Sequence, residues 1–121
     1  MPIVDVTLVT AAAQLPVGLA TGLADALGAV LQHPPGRVWV RVSALPSSAY
    51  AENAVRLAPD ELPVFVRVLH ADLPDPTTLA TQAAAIAAAV GACVGCARER
   101  VHVEYAPAGR GRIAFGGKLL E

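Results

Sequence analysis

A proline stands at the second position of this chain, and it is the residue with the clearest chemical potential. Removal of Met1, which is usual before a small residue, would give Pro2 a free secondary amine. The ordinary pKa of an α-amino group is roughly 7.7–8.0, and burial or a nearby cation lowers it because both disfavour the ammonium form. Such an amine can act as a general base, a general acid or a nucleophile toward carbonyls. The alternative is that Pro2 reflects only the frequency of small residues after an initiator methionine.

Arginines on predicted strands could supply the positive charge that a carboxylate substrate needs. A guanidinium group binds a carboxylate through two parallel hydrogen bonds, and a cation close to the amine would also lower the pKa of that amine. Arg41 and Arg67 alternate with valines, so they project from the strand face opposite the predicted core. The alternative is that these two arginines pair with Asp5 or Glu104 across the sheet.

The composition excludes several classes of protein. A length of 121 residues favours one domain. A net charge of −1 without a basic block argues against nucleic-acid binding. The chain is 55% hydrophobic, but it has no long uninterrupted apolar run and no secretory signal, so we expect a cytoplasmic protein without a membrane span. Arginine predominates over lysine and alanine is abundant, which favours a GC-rich bacterial source.

The two cysteines form a Cys93-Val94-Gly95-Cys96 motif. Such a motif can be a redox pair, but here it falls at the end of a predicted helix, where the helix N-terminus cannot lower a thiol pKa. Two thiols alone do not complete a tetrahedral zinc site. We therefore expect packing cysteines and neither a metal nor a disulfide framework.

The first half of the chain is predicted to form a strand, a helix and a strand. Leucines recur every fourth residue from Leu15 to Leu31, which predicts a helix over 10–32. The segment His33-Pro34-Pro35-Gly36 ends this helix, since proline cannot continue it and glycine tolerates the turn. The other elements predicted here are a strand over 3–9, a strand over 37–45 and an irregular connection over 46–59.

The second half repeats this pattern. Asp75 is a candidate N-cap and Pro76 suits the first helical position, which predicts a helix that ends at about Val94. Its flanking elements are a strand over 63–70, a strand over 100–105 and a turn-rich tail over 109–117.

The repeat predicts an α+β fold in which two tandem β-α-β units form a four-stranded sheet with both helices on one face. The domain would be single, over 1–121, with the first unit and its loop in 1–59 and the second unit and the tail in 60–121. The opposite face would carry Trp39, Phe65 and Leu69 among charged residues. Because exposed apolar patches usually mark interfaces, we expect an oligomer that covers this face. The alternative is a ferredoxin-like monomer with an amphipathic outer face.

Three local features of this sequence resemble the tautomerase superfamily. Pro2 opens the first strand, and His33-Pro34-Pro35 precedes a strand and then Tyr50. The third feature is Val101-His102-Val103 followed by Gly116-Gly117-Lys118-Leu119 near the end of the chain. Together with the duplicated β-α-β pattern, the resemblance covers nearly the whole chain.

This resemblance implies a homotrimer with sites between subunits, no cofactor, and Pro2 as the catalytic acid or base. It implies that His33 and Tyr50 line the site and that His102 occupies a site-lining strand position. The imidazole of His102 and the hydroxyl of Tyr50 could donate to a substrate oxygen. For each of these three residues, the alternative is a structural contact.

The resemblance also places the tail beside a neighbouring subunit's site, which makes Arg110 and Arg112 candidate substrate ligands; the alternative is a solvated turn. The strand position that is Arg in one family member is His102 here, and the arginine that follows strand one in that member has no counterpart. The expected function is therefore a cofactor-independent tautomerase or isomerase acting on small 2-oxo or 2-hydroxy carboxylates and their enols. The alternatives are a dehalogenase, hydratase or decarboxylase with Pro2 as general acid, or a non-catalytic binding protein.

Overall fold

The chain forms a sheet covered on one side by two helices, as the repeated pattern predicts. The computed structural model describes residues 2–121; Met1, whose removal is predicted above, lies outside the described residues. The principal elements are β1 (Ile3–Thr10), α1 (Leu19–Leu31), β2 (Trp39–Pro46), β3 (Val64–Leu69), α2 (Pro76–Val94), β4 (Val101–Tyr105), β5 (Ala114–Phe115) and β6 (Lys118–Leu119).

The four long strands are ordered β2-β1-β3-β4. Each helix connects a parallel pair, β1 with β2 and β3 with β4, and the two units join through the antiparallel pairing of β1 with β3. This arrangement confirms the predicted fold class. It makes β1 a central strand with a hydrogen-bonded neighbour on each side.

The core lies between the sheet and the helices. Val4 and Val6 of β1, together with Val64, Val66 and Val68 of β3, have at most 1% of their surface exposed. Against them pack Leu23 and Leu27 of α1 and Ile86 and Val90 of α2. The strict alternation on β1 and β3 therefore separates a helix-facing side from an open side, as expected from a period of two.

The prediction that α1 begins at Thr10 was wrong, because the helix begins at Leu19. Pro16 disfavours helical geometry in the residue before it. Gly18 has a φ of 78°, a left-handed conformation that a helix interior does not contain. Leu15 nevertheless packs against the core from the connection that precedes the helix.

The predicted start of α2 is confirmed. The Asp75 carboxylate accepts a hydrogen bond of 2.9 Å from the Thr78 backbone N–H, and Pro76 occupies the first turn. By length and composition alone this helix could cross a membrane, a test that apolar core helices also pass. In this structure its Ile86 and Val90 are fully buried against the sheet.

The two cysteines lie where the end of α2 turns back toward β4. Both are free thiols, and Cys96 packs against the core while Cys93 is exposed. Burial raises the pKa of the Cys96 thiol, which opposes thiolate reactivity. Within residues 2–121, no three His, Cys, Asp or Glu side chains are grouped closely enough to hold a metal ion.

Two glycines in the helices offer a matched test of this packing. A Cβ at Gly91 would lie 2.8 Å from the Cys96 carbonyl oxygen, whereas a Cβ at Gly22 would meet no atom within 4 Å. We expect Gly91→Ala to lower the free energy of unfolding by about 1–3 kcal/mol. Gly22→Ala should raise it by about 0.5–1 kcal/mol, because alanine favours the helix. Urea unfolding measures both, and a Gly91→Ala variant as stable as the parent would contradict the observed helix end.

Candidate functional site

Pro2 lies at the start of the central strand. Its carbonyl oxygen accepts a hydrogen bond of 3.1 Å from the Trp39 backbone N–H, and its side chain is fully buried. Ile3 pairs with Trp39 on one side and with Leu69 on the other. Continuing both registers by one residue places Pro2 between Val38 and His70.

Beneath this end of the sheet lies a cluster of three polar side chains, the buried His70 and the half-buried Gln82 and Tyr105, here called the buried polar cluster. His70 Nε2 lies 2.8 Å from Gln82 Oε1, and the Tyr105 hydroxyl donates to the same oxygen at 3.0 Å. The two rings stack with centroids 5.8 Å apart. Burial raises the pKa of the Tyr105 hydroxyl, so it remains a hydrogen-bond donor at neutral pH.

His33 follows α1 and is half-buried. Its backbone N–H donates to the Gly28 carbonyl at 3.2 Å. Burial lowers the pKa of the His33 imidazole, and the nearby His70 acts in the same direction. His33 lines a surface pocket together with Val38, the residue that the register places beside Pro2, so the predicted site residue His33 lies at the same end of the sheet as the buried polar cluster.

The open side of the same end contains a groove of about 290 Å³. Its apolar walls include Ile3, Leu69 and Ile113, and its charged lining consists of Asp5, Arg41, Arg67 and Arg112. An apolar groove with a few charged groups is the usual form of a small-molecule site.

A row of alternating charge crosses the open side at mid-sheet. Arg41 donates to both Asp5 oxygens, at 2.6 and 2.9 Å, and Arg67 lies 3.1 Å from Glu104. The strand registers place Asp5 opposite both arginines. In this structure Arg41 and Arg67 are therefore ion-pair partners, which was the alternative interpretation of these residues. Their contacts with a substrate stay a prediction.

The two tail arginines differ from each other. Arg110 donates two hydrogen bonds to the Asp72 carboxylate, of 2.8 and 2.6 Å, and it also donates to the Glu121 carbonyl. Within residues 2–121, Arg112 makes no ion pair. Of the four arginines predicted to bind substrate, the other three have a carboxylate partner in this structure, so the guanidinium of Arg112 is the one available to a ligand.

Tyr50 and His102 lie toward the other end of the open side. Both rings contact Phe65, with centroid separations of 5.8 and 5.5 Å. Phe65 pairs with Thr7, five residues along β1 from Pro2, which corresponds to about 16 Å. The Tyr50 hydroxyl donates to Glu52 at 2.8 Å, and this hydrogen bond raises its pKa. One protomer therefore does not bring the predicted donors Tyr50 and His102 to Pro2.

Sequence reasoning missed the buried polar cluster, although a signal for it existed. His70 has the same strand parity as the core residues Val66 and Val68, and Tyr105 has the same parity as Val101. The alternation therefore predicts a polar side chain on the core side at each position, and buried polar groups require partners.

The Asp72–Arg110 pair ties the tail to the segment that follows β3, which allows a local test. The hydrogen bonds from Arg110 lower the pKa of Asp72. Since the folded state favours the ionised carboxylate, the pair contributes fully to folding stability above the ordinary carboxyl pKa of roughly 3.9. This stabilisation is lost as the pH falls below that value. We expect Asp72→Asn to speed amide exchange of Gly111 and Leu120 about two- to fivefold at pH 7.

Asp60→Asn is the control for this test, because Asp60 is an exposed carboxylate outside the ion pairs of the described residues. Hydrogen exchange measured by mass spectrometry, corrected for intrinsic rates, compares the two variants. Equal exchange in both would show that the pair does not hold the tail.

Solved structures with this fold are similar to the whole chain. Macrophage migration inhibitory factor from Oncomelania hupensis aligns with a TM-score of 0.74 at 21% identity, over 100% of this chain and 83% of that chain. A fused 4-OT, solved as a symmetric trimer, aligns with a TM-score of 0.76 at 16% identity, over 98% and 94%. Pt0534, solved after inactivation by 2-oxo-3-pentynoate, gives the same TM-score of 0.76 and 16% identity, over 98% and 94%.

No protein-family model and no curated protein matches the sequence. At these identities the structural likeness establishes the fold, and it agrees with the strand order and the two parallel β-α-β units described above. The chain has the fold of the tautomerase superfamily, shared with macrophage migration inhibitory factor and fused 4-OT.

Proposed function

We propose that this protein is a cofactor-independent tautomerase that acts on small 2-oxo carboxylates and their 2-hydroxy enol forms. The observation that carries the proposal is the position of Pro2, buried at the start of the central strand next to Ile3. Ile3 lines the groove together with Arg112, which has no ion-pair partner among residues 2–121. The proposal requires that Met1 is removed, so that the proline nitrogen is a free amine.

The surroundings favour a neutral amine, and hence a general base. The side chain of Pro2 is fully buried, the register places His70 opposite it, and His33 lies at the same end of the sheet. Burial and any positive charge on these rings both disfavour the ammonium form. The neutral amine would take the proton of the enol hydroxyl and return it to the substrate carbon, so that no net proton is gained or lost.

Arg112 is the proposed carboxylate ligand. It lines the groove, whereas Arg41, Arg67 and Arg110 already have carboxylate partners. The ion pairs of the other three arginines also favour Pro2 as a general base. The alternative, Pro2 as a general acid for hydration, dehalogenation or decarboxylation, would use several free cations around the substrate.

A neighbouring subunit completes the site in this proposal. The donors Tyr50 and His102 lie about 16 Å along the sheet from Pro2 within one protomer. Trp39 and Phe65 remain exposed on the same open side, and the fused 4-OT of the comparison is a trimer. A homotrimer that covers the open sides could bring the Tyr50 end of one subunit to the Pro2 end of the next.

Replacement of the secondary amine of Pro2 by the primary amine of alanine tests the proposal. We expect wild-type protein to ketonise phenylenolpyruvate or 2-hydroxymuconate, and Pro2→Ala to reduce kcat/KM about 10²- to 10⁴-fold. Incubation with 2-oxo-3-pentynoate should place one adduct on the N-terminal peptide of the wild type. Peptide mapping separates this adduct from adducts on Cys93 or Cys96, and a Cys93→Ala/Cys96→Ala variant should still be labelled.

Two results would overturn the proposal. Intact-mass measurement that finds Met1 retained would remove the amine from Pro2. Equal ketonisation rates in the wild type and Pro2→Ala would remove Pro2 from the reaction, and a protein without turnover would be left as a binding protein on this scaffold.

The role of Arg112 has a separate test. We expect Arg112→Gln to raise KM about ten- to a hundredfold, because a charge-assisted contact to the carboxylate is lost. Arg98→Gln is the matched control, since Arg98 pairs with its neighbour Glu99 away from the groove. A methyl ester substrate, which lacks the negative charge, should not distinguish Arg112→Gln from the wild type; an equal loss with the ester would contradict carboxylate binding.

A further inference from the structure

The geometry points to His70 as a positioning residue for Pro2: held by Gln82 and Tyr105, it fixes the proline ring and determines the charge beside the amine. This inference rests on the proposed function of Pro2. It concerns a residue outside the open-side groove and on the opposite, helix-facing side of the sheet.

The register between β1 and β3 places His70 next to Pro2. Val4 pairs with Val68 in the antiparallel ladder, and both are fully buried on the helix-facing side. Continuing this register by one residue beyond the Ile3–Leu69 pair places Pro2 opposite His70, and both residues are buried. Directly opposed residues on one face have Cβ atoms about 4.5–5.5 Å apart, so the imidazole and the pyrrolidine ring are neighbours.

The side chain of His70 is buried. It is the only buried polar side chain among the described residues, with 8% of its surface exposed. Burial of a polar group is costly unless hydrogen bonds compensate it, and the Gln82 and Tyr105 contacts supply that compensation. The backbone is held as well, since the His70 carbonyl accepts a 2.7 Å hydrogen bond from Gly109.

The contact with Gln82 determines which nitrogen of the His70 imidazole carries the hydrogen. Gln82 Oε1 is an acceptor for both neighbours, so His70 Nε2 carries a hydrogen in this arrangement. In the neutral ring Nδ1 is then the free acceptor, and protonation of the ring would occur there. The amide orientation of Gln82 thus selects the tautomer of His70.

Other titratable groups near His70 come from each surrounding element. His33 approaches from the end of α1, and Tyr105 stacks on the ring from β4. The Asp72–Arg110 ion pair lies in the adjoining segment and tail. On α2 the contact is the neutral side chain of Gln82. Of these groups, His70 is the one that the strand register places directly opposite Pro2.

Two variants separate positioning from charge. His70→Phe keeps a ring but loses the Nε2 hydrogen bond, and we expect kcat to fall about ten- to a hundredfold with KM changed less than about twofold. Gln82→Glu keeps an acceptor and favours an imidazolium at His70. The new carboxylate offsets part of this positive charge, but the register places the imidazolium next to Pro2. The acidic limb of the pH–rate profile should therefore move lower by less than about one unit, because the nearer cation disfavours protonation of the amine.

The control is Gln14→Glu, which makes the same chemical change at an exposed position outside the cluster. A second readout that is independent of turnover is the ¹⁵N NMR titration of Pro2 in protein labelled with [¹⁵N]proline. The titration midpoint should move lower in Gln82→Glu and should be unchanged in Gln14→Glu.

The outcomes distinguish this inference from the proposed function. If the wild type turns over through Pro2 but Gln82→Glu moves neither the pH profile nor the NMR midpoint, His70 is only structural and the inference is wrong. A fall in Tm without a shift in either readout means the same. If the amine titrates as expected but no tested carboxylate turns over, the proposed reaction fails while the link between His70 and Pro2 stands. Retention of Met1 overturns both.

Discussion

The pairing of β1 with strands on both sides is the constraint on which the rest of the structure depends. It joins the two β-α-β units, because β1 is parallel to β2 and antiparallel to β3. A central strand has no free backbone edge, so its first residue is fixed by two ladders instead of fraying as a chain terminus usually does. Pro2 is consequently held at a definite place, with the helix-facing cluster on one side and the groove on the other.

The two sides of the sheet handle polar groups differently. On the open side, Arg41, Asp5, Arg67 and Glu104 alternate in sign across the strands, but they are exposed and so contribute little to the stability of one protomer. Their value lies in specificity, since a facing surface must match an ordered row of charge. On the helix-facing side, His70 is buried, and each contact it makes matters more because the local dielectric constant is low.

The sequence was sufficient for the architecture, because valine alternation and leucine periodicity are strong signals over whole elements. It failed at the start of α1, where Pro16 and Gly18 override a continuing leucine period. For the site, Pro2, His33 and Arg112 were predicted from the sequence and lie at one end, and their roles stay a prediction. The sequence could not show that Arg41, Arg67 and Arg110 already have carboxylate partners. Such pairing depends on registers between strands and tail that no local pattern encodes.

The duplication explains why only one end of the molecule is a candidate site. Pro2 and Pro63 open corresponding strands and are both fully buried, so the scaffold holds two prolines in related environments. The nitrogen of Pro63 is an amide within the chain and has no basicity, whereas that of Pro2 becomes an amine on loss of Met1. The polar residues follow the same asymmetry, because the register places His70 opposite Pro2 but Val9 opposite Pro63, whose carbonyl accepts a hydrogen bond from the Val9 N–H. Under the proposed function, the reactive group is therefore an amine that loss of Met1 exposes at a fixed interior position, and the second unit has no equivalent because the Pro63 nitrogen is an amide.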